Sequence, residues 1–511
     1  KTWTGPNSHF KNLPDLPVKP AFFMKFSPTL QSIGALQLLL AAVLLIPLLI
    51  SLIYGESDTP AILAAIGIAV LIGGPLWWFN RQSRNLQFRD TVLIVTLGWF
   101  SICLVGCLPF VLHGSIPSLT DAFFEVMSGL TTSGSTILDD IEALPHGLLF
   151  WRSMTHFLGG MGMIGLYLLI FSYVGSGNLQ MYRIESAPGQ GGTGDKMLPN
   201  VRLTMKWLWG IYLLLNGVCA ILLWFGGLSW FDAVCHAFSA VATGGYSTLN
   251  ASAGGFGSAY VEWILCLFMF LGGMDFVLHY QALKGNWQSL AKSTELKAYL
   301  MICFVLGVGV SGLLWLNGTN SNLLDALRYG FFQVLSLLTT TGYSTTDYEL
   351  WPQAAQMLLF FCLFIGACSG STTSGIRIVH LVLLIRFLER LLHRMARPHA
   401  VQSILIDGKP VEMSVVNGVL GFIVLQMHAV VIGGVFLSIL SPEMDWWSGL
   451  NMMMASLWNI GPAFGDVGPT ENYAHVSDAG TWFLSLMMLA GRLDIITVLI
   501  LFSPAFWKSH R

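Results

Sequence analysis

Long apolar runs recur along the whole chain, each close to the roughly 20 residues that cross a bilayer as a helix. Short polar or glycine-rich segments separate these runs, and none of them is long enough to form a soluble domain of comparable size. The pattern predicts an all-α integral membrane protein with ten spanning segments. The clearest runs are Leu38–Tyr54, Ala61–Phe79, Thr91–Leu112, Met205–Phe225, Val261–Leu278, Ala298–Leu316, Val415–Leu440 and Thr481–Phe502.

Basic residues alternate with pairs of these runs. All but four of the 25 Lys and Arg residues fall into six clusters, which are Lys1 to Lys25; Arg81, Arg84 and Arg89; Arg183, Lys196, Arg202 and Lys206; Lys284, Lys292 and Lys297; Arg386, Arg390, Arg394, Arg397 and Lys409; and Lys508 with Arg511. Because basic loops stay in the cytoplasm, we expect all six clusters and both termini on that side. Only 10% of the residues are charged, against about 25% in soluble proteins, which also indicates a membrane protein.

Four segments on the opposite, acidic side share one order of residues. An Asp or Ser expected as N-cap opens each segment, about three helical turns follow, and small hydroxyl residues then lead to a glycine. The segments are Asp121 to Gly134, Asp232 to Gly245 and Ser448 to Gly461, each 13 residues apart, and Asp325 to Gly342, 17 residues apart. The longer spacing predicts about one more helical turn.

Each segment is too short to cross the bilayer, so it predicts a re-entrant loop made of a short descending helix and an extended strand. Such backbone is tolerated at depth only where it lines a water-filled path or is buried in protein. Ordinary surface turns are the alternative, but they leave the fourfold placement unexplained. The sequence therefore predicts four helix, pore-loop, helix repeats around a central pore, preceded by two extra N-terminal helices.

Four glycine-containing strands around one axis form a cage of carbonyl oxygens that can replace the hydration shell of a cation. The short helices direct the negative ends of their dipoles at the same axis, which favours cations. Acidic residues near the mouth are candidates for raising the local cation concentration, or are simply solvated. These acids are Glu125, Asp139, Asp140, Asp347 and Glu349.

The motifs of these segments resemble the Trk/Ktr/HKT superfamily of potassium transporters, and within it the bacterial TrkH/TrkG uptake proteins, from about Met24 to the end. The motifs are Thr131-Thr-Ser-Gly134, Gly244-Gly245-Tyr-Ser-Thr, Thr340-Thr-Gly342-Tyr-Ser-Thr, Trp458-Asn-Ile-Gly461-Pro, Gly159-Gly-Met-Gly-Met and Gly491-Arg-Leu-Asp-Ile-Ile-Thr. The resemblance implies K⁺ as the transported ion and one filter glycine from each loop. The implied K⁺-binding residues are Thr131, Thr132, Ser133, Gly134, Thr243, Gly244, Gly245, Thr340, Thr341, Gly342, Asn459, Ile460 and Gly461. Plant relatives that prefer Na⁺ carry serine at the first glycine, so Gly134 favours K⁺.

A Gly, Ser and Thr run at residues 366–377 interrupts the long apolar helix predicted from about Gln353 to Leu392. The resemblance implies that this run is an intramembrane gating loop held by an arginine of the last span. The implied gate residues are Gly366, Gly370, Ser371, Thr372, Thr373, Gly375 and Arg492. The alternative is that Arg492 pairs with Asp494 or reaches the inner surface. Asp275 and Asp494 depart from the usual family residues (Asn and Glu), so a buried Asp275 needs a proton or a partner.

The predicted layout follows from these features. It comprises residues 1–28 as a cytoplasmic segment, 29–89 as two extra helices, 90–204, 205–293, 294–410 and 411–511 as repeats 1 to 4. Met24–Lys25–Phe26 looks like a natural start, so residues 1–23 are expected to be a leader or a cloning remnant. The resemblance also implies a bacterial inner-membrane location, a homodimer and a cytoplasmic ring of nucleotide-binding, TrkA-like subunits. Segments 183–206 and 386–409 are the candidate docking surfaces.

Two other functions are alternatives to a channel-like pore. A secondary symporter coupled to H⁺ or Na⁺ would use inverted repeats and broken helices, whereas here the repeats run in one direction and only one helix is clearly broken. A haem- or quinone-binding subunit would need facing histidines within the spans. The sequence contains no phosphate loop, nucleophile triad or zinc motif, so we expect no enzymatic activity, no organic cofactor and no nucleic-acid partner. Membrane lipid is the expected surrounding.

Overall fold

The computed structural model describes residues 27–80, 88–173, 201–399 and 402–507 of the chain. The expected leader at residues 1–23 and the basic residues Arg183 and Lys196 lie outside this part. Long helices run Ser27–Tyr54, Thr59–Phe79, Phe88–Gly106, His146–Tyr173, Val201–Phe225, Thr294–Leu316, Ile378–Ala396 and Met413–Leu440. Shorter helices run Leu108–His113, Leu119–Leu130, Trp230–Val241, Ala259–Gly272, Phe276–Leu283, Trp287–Lys292, Leu323–Leu338, Gln353–Leu363, Trp446–Trp458, Asp478–Arg492, Ile495–Leu499 and Pro504–Trp507.

Short elements complete the fold between these helices. Single 3₁₀ turns form at Ser252–Phe256, Tyr348–Leu350 and Ile500–Phe502. Two-residue strands, Leu405–Ile406 and Lys409–Pro410, pair antiparallel in a small hairpin. The described residues are thus predominantly helical, as the apolar runs predicted.

Apolar helices long enough to cross a membrane coincide with the predicted spans. Within the described residues six helical segments qualify singly, and two further pairs qualify if each bent pair is one span. The six segments are Pro28–Tyr54, Thr59–Phe79, Arg89–His113, Leu203–Phe225, Thr294–Leu316 and Met413–Leu440. Together with the two bent pairs they match the eight clearest apolar runs of the sequence.

The two bent pairs correct the sequence analysis. Ala259–Gly272 and Phe276–Leu283 meet at 99°, and Asp478–Arg492 and the helix from Ile495 to Phe502 meet at 114°. The sequence predicts each as one continuous span, Val261–Leu278 and Thr481–Phe502. Apolar composition shows that a segment can lie in a membrane but carries no information on bending. The expectation of a single clearly broken helix is therefore wrong.

Four short helices, largely buried beyond their first turn, precede the four filter glycines and are called pore helices 1 to 4 below. They are Leu119–Leu130, Trp230–Val241, Leu323–Leu338 and Trp446–Trp458, with 12, 12, 16 and 13 residues. The third is longer by about one turn, as its spacing predicted. Each is followed by non-helical chain that leads to the next long or broken helix.

The caps of the pore helices differ from the expectation. Ser118, Ser229, Asn322 and Asp445 accept the first free backbone N–H groups. The expected caps, Asp121, Asp232, Asp325 and Ser448, lie about one turn further into each helix. Asp121, Asp232 and Asp325 still lie in the first turn, where the positive end of the helix dipole favours an acid. Their spacing from the glycines therefore predicted the helix lengths, although the cap assignment was wrong.

Candidate ion-conduction site

Each pore helix ends in the same tight turn. In all four turns the backbone N–H of the residue before the filter glycine donates to the carbonyl oxygen five residues earlier, at 2.8 or 2.9 Å. The residue two positions before the glycine has φ between 52° and 54°, and the glycine has φ between 82° and 91°. These left-handed residues are Thr132 and Gly134, Thr243 and Gly245, Thr340 and Gly342, and Asn459 and Gly461. The four segments are therefore structurally equivalent.

The four turns contact one another in a closed ring. Each filter glycine packs against the carbonyl oxygen of the residue that precedes the next filter glycine, and a Cβ atom at any of them would overlap that oxygen. The contacting pairs are Gly134 with Gly244, Gly245 with Thr341, Gly342 with Ile460, and Gly461 with Ser133. Only glycine fits both the left-handed backbone and this close approach. All residues predicted for the filter lie in these turns, although K⁺ binding itself stays a prediction.

A cavity of about 180 Å³ opens outward from the ring and is lined by all four filter glycines. Asp139 borders this cavity, is exposed, and accepts a hydrogen bond from the Asn472 amide at 2.7 Å. Asp140 lies beside it and accepts from Asn250 at 2.9 Å. These two acids stand where the sequence analysis expected them, at the outer mouth.

Glu349 and Glu125 do not line this outer cavity. The Glu349 carboxylate accepts the Gly465 N–H at 2.6 Å, and partial burial in this outer loop raises the pKa of the Glu349 carboxyl. Glu125 is 1% exposed and pairs with Arg152 at 2.8 Å. The expectation that Glu125 enriches cations at the mouth is wrong, because a buried and paired carboxylate faces the protein rather than the solvent.

Buried tyrosines donate hydrogen bonds to backbone carbonyls of the filter turns and pore helix 1. The sequence analysis did not predict these contacts. The Tyr246 hydroxyl donates to the Glu125 carbonyl at 2.7 Å, and the Tyr343 hydroxyl donates to the Tyr246 carbonyl at 3.1 Å. The Tyr473 hydroxyl donates to the carbonyl of Gly461 at 2.9 Å. For Tyr246 and Tyr343 the signal in the sequence was the repeated Tyr-Ser-Thr that directly follows the filter glycines Gly245 and Gly342.

The predicted gate run is a buried loop that doubles back on itself. The helix Gln353–Leu363 ends before it and Ile378–Ala396 begins after it. The Gly366 N–H donates to the Ile376 carbonyl at 2.8 Å, and a Cβ atom on Gly366 would overlap the Ser374 carbonyl. Of the predicted gate residues, Gly366, Gly370, Ser371, Thr372, Thr373 and Gly375 lie in this loop.

This gate loop contacts the filter turns directly. The hydroxyls of Thr372 and Thr243 lie 3.1 Å apart, and the Ser374 N–H donates to the hydroxyl of Thr340 at 3.4 Å. At the fourth turn, a Cβ atom on Gly375 would lie 3.4 Å from the Trp458 Cβ. The loop therefore packs against the turns that end pore helices 2, 3 and 4.

Arg492 holds the gate loop from the last span and is fully buried. Its Nη1 donates to the Thr372 carbonyl at 2.7 Å and to the Ser374 hydroxyl at 3.2 Å, and its Nη2 donates to the Gly159 carbonyl at 3.1 Å. These oxygens, rather than the carboxylate of Asp494, are its hydrogen-bond partners. The geometry agrees with the predicted contact, while a role in gating stays a prediction.

Glu295 holds the other end of the gate loop, and the Asp275 carboxylate packs against it. Glu295 accepts the Ser369 N–H and the Ser369 hydroxyl, both at 2.7 Å. Asp275 accepts the Val277 N–H at 2.8 Å, and a Cβ atom on Gly370 would lie 2.5 Å from its carboxylate. The Val277 N–H is a neutral helix-capping donor, so the expected proton or charged partner of Asp275 stays a prediction. Glu295 was missed, because nothing in its local sequence indicates a contact 74 residues away.

The fold and the ring of turns define a multi-pass membrane transport protein of the pore-loop type. Residues 58–306 and 319–509 match the profile of the TrkH family, described as a cation transport protein, and the chain belongs to this family. It is 37% identical over 489 residues to the "Trk system potassium uptake protein TrkH" of Escherichia coli, covering 95% of this chain and all of that one. It is also 30% identical to "Trk system potassium uptake protein TrkG" of the same organism, covering 93% of this chain and 97% of that one.

A solved structure carries the same fold. The crystal structure of "the Potassium Transporter TrkH from Vibrio parahaemolyticus" superposes with a TM-score of 0.86 at 33% identity, covering 95% of this chain and all of that one. The predicted family resemblance and the all-α membrane fold are confirmed. The expectation of a transport protein rather than an enzyme is confirmed by the same family membership.

Proposed function

We propose that the chain mediates K⁺ uptake across the bacterial inner membrane through the ring of four filter glycines. The observation that supports the proposal is the closed ring of four equivalent turns, in which the carbonyl before each filter glycine contacts the filter glycine of a neighbouring turn. The relatives named as potassium uptake proteins support K⁺ as the ion.

The physical basis is substitution of hydration by backbone oxygen. Carbonyl oxygens at fixed positions replace the water around a cation, and the C-terminal ends of the four pore helices add partial negative charge. Inward movement of K⁺ then draws on the membrane potential, worth about 2.3 kcal/mol per elementary charge per 100 mV. The chain needs no catalytic group for this process.

Opening requires the gate loop to move. Its Thr and Ser groups hydrogen-bond to filter turns, and it is held at Thr372 by Arg492 and at Ser369 by Glu295. A loop in this position blocks the path below the filter. Displacing it therefore breaks contacts at both ends.

Orientation and partners belong to the proposal. Both termini are cytoplasmic, since the basic clusters include them. The chain forms a homodimer in the lipid bilayer and is regulated by a cytoplasmic, TrkA-like ring of nucleotide-binding subunits. The candidate docking surfaces remain segments 183–206 and 386–409, of which the structure describes residues 201–206, 386–399 and 402–409.

The decisive test is K⁺, Rb⁺ and Na⁺ flux into liposomes containing the purified protein, compared with Gly134→Ser. K⁺ and Rb⁺ should pass well ahead of Na⁺, and the variant should lose that preference. The matched control is Gly227→Ser, since Gly227 has a similar φ of 93° but open space around it. Equal K⁺ and Na⁺ flux in the wild type, or an unchanged preference in Gly134→Ser, would refute the filter.

Coupled cation symport is the second candidate function. The two additional helix breaks favour it more than the sequence did, since broken helices build ion sites in symporters. The same liposomes distinguish a pore from a symporter. K⁺ flux driven by a K⁺ gradient alone, without Na⁺ and at equal pH on both sides, supports the pore. Flux that appears only with an imposed Na⁺ or H⁺ gradient supports symport.

A further inference from the structure

The position nine residues before each filter glycine is fully buried in all four repeats, yet its chemistry differs. It holds Glu125, His236, Gln333 and Met452. In repeat 2 the His236 ring is 2.9 Å from the Ser247 hydroxyl. In repeat 1 the same place carries a carboxylate with an arginine partner. The segments that follow Gly134 (residues 135–137) and Gly245 (residues 246–248) are called the first and second filter strands. We propose that Glu125 and Arg152 are positioning residues that hold these two strands and contribute to the choice of K⁺ over Na⁺. This inference rests on the proposed filter.

Glu125 holds the first strand immediately after its glycine. Its carboxylate accepts the Thr136 hydroxyl at 3.1 Å and the Ile137 N–H at 3.0 Å. Arg152 donates to the same carboxylate at 2.8 Å and to the Thr136 hydroxyl at 3.3 Å. The strand after Gly134 is thus fixed to pore helix 1 by charge-assisted hydrogen bonds, which are stronger than neutral ones.

Arg152 extends the same contact to the second strand. Its Nη1 donates to the Ser247 carbonyl at 3.2 Å, and its guanidinium lies 4.1 Å from the Tyr246 ring centre. The Tyr246 hydroxyl returns to the first repeat, donating to the Glu125 carbonyl and, at 3.3 Å, to the Ser135 carbonyl. One buried hydrogen-bond network therefore joins the strand after Gly134 to the strand after Gly245.

The pair also sets the charge near the mouth. Arg152 borders the outer cavity that the filter glycines line. A guanidinium without its carboxylate would repel cations there, whereas the paired arginine is neutralised at contact distance. Glu125 thus has two effects, holding the strand and cancelling a positive charge beside the ion path.

The test compares Glu125→Gln, Tyr246→Phe and the double variant Glu125→Gln with Arg152→Gln in the K⁺ and Na⁺ flux assay. We expect the K⁺/Na⁺ flux ratio to fall about tenfold in Glu125→Gln, equivalent to about 1.4 kcal/mol of site preference. Tyr246→Phe should lower the ratio in the same direction. The double variant buries no unpaired charge, so it decides the question if Glu125→Gln does not fold.

The matched control is Glu262→Gln, which breaks the ion pair with Arg328 (3.1 Å) away from the filter. It should lower thermal stability without moving the flux ratio, as a purely structural role would. A wild-type ratio in both Glu125→Gln and the double variant, with Gly134→Ser still impaired, overturns the positioning role alone. An unchanged ratio in Gly134→Ser overturns the filter instead, so the two failures are distinguishable.

Discussion

Arg492 and Thr372, 120 positions apart in the chain, are joined by a 2.7 Å hydrogen bond from the guanidinium Nη1 to the backbone carbonyl. The carbonyl belongs to a non-helical segment inside the membrane region, where a backbone acceptor without a partner is costly. A buried arginine satisfies this acceptor and carries its own charge into the core. The bond therefore ties the last span to the gate loop.

Replacing Arg492 by Ala should favour the open gate. The loop loses hydrogen bonds from a charged donor, each worth about 1.5–3 kcal/mol, so basal K⁺ flux should rise about tenfold or more. Arg492→Lys keeps the charge and one contact, so its basal K⁺ flux should lie between those of the wild type and Arg492→Ala. Flux into liposomes over a range of K⁺ concentrations checks this, and values equal to wild type at every concentration would contradict a gating role.

Glu295 and Ser369 should act on the gate as a coupled pair. Glu295→Gln and Ser369→Ala each remove part of a two-bond contact, so each should raise basal flux severalfold. Because both variants break the same contact, the double variant should add little to either one. Distant, independent sites are additive within about 0.3–0.5 kcal/mol, so full additivity of the two effects on flux would show that this contact does not hold the loop.

Gly245→Ala should abolish selective K⁺ flux. Its Cβ would overlap the Thr341 carbonyl of the next strand, in addition to the left-handed strain of about 1–2 kcal/mol. Gly227→Ala has a similar φ but no neighbouring atom, and should cost only that strain. Flux ratios and thermal unfolding of both variants separate the effects. Preserved selectivity in Gly245→Ala would mean that the strands tolerate separation.

Asp139→Asn should slow K⁺ entry at low salt. Asp139 borders the outer cavity, and one charge at about 10 Å in water changes local cation concentration about twofold. Asn can still accept the hydrogen bond from Asn472. The difference should vanish in 1 M salt, where the screening length is about 3 Å. Glu443→Gln, an exposed acid away from the cavity, is the control; an equal loss there would contradict a local effect.

Much of the fold could be predicted because its determinants are local. Apolar length gave the spans, and glycine spacing gave four loops, including the extra turn of pore helix 3. The bends at residues 273–275 and 493–494 could not be predicted, since they depend on packing against the gate loop, as at Asp275 and Gly370.

The candidate site likewise contains residues that could be predicted from the sequence and residues that could not. The filter turns were predictable from residues that must be glycine, and Asn459 at the threonine position was a further sign of left-handed backbone, which Asn adopts readily. The buried side-chain contacts that support these turns could not be predicted. Glu125 looks like a mouth acid in sequence, and only its contact with Arg152 shows that it is a buried partner.

The gate loop hydrogen-bonds to Thr243 and Thr340, which are themselves part of the filter turns. In the proposed gating step, displacing the loop removes these two contacts from the filter turns as ions begin to pass. Ion occupancy and gate position would then be thermodynamically linked, and an ion that stabilises the freed turns would also hold the pore open. On this proposal the permeant cation would act as a ligand for the open state, and ion selectivity and open lifetime would change together when one cation is replaced by another.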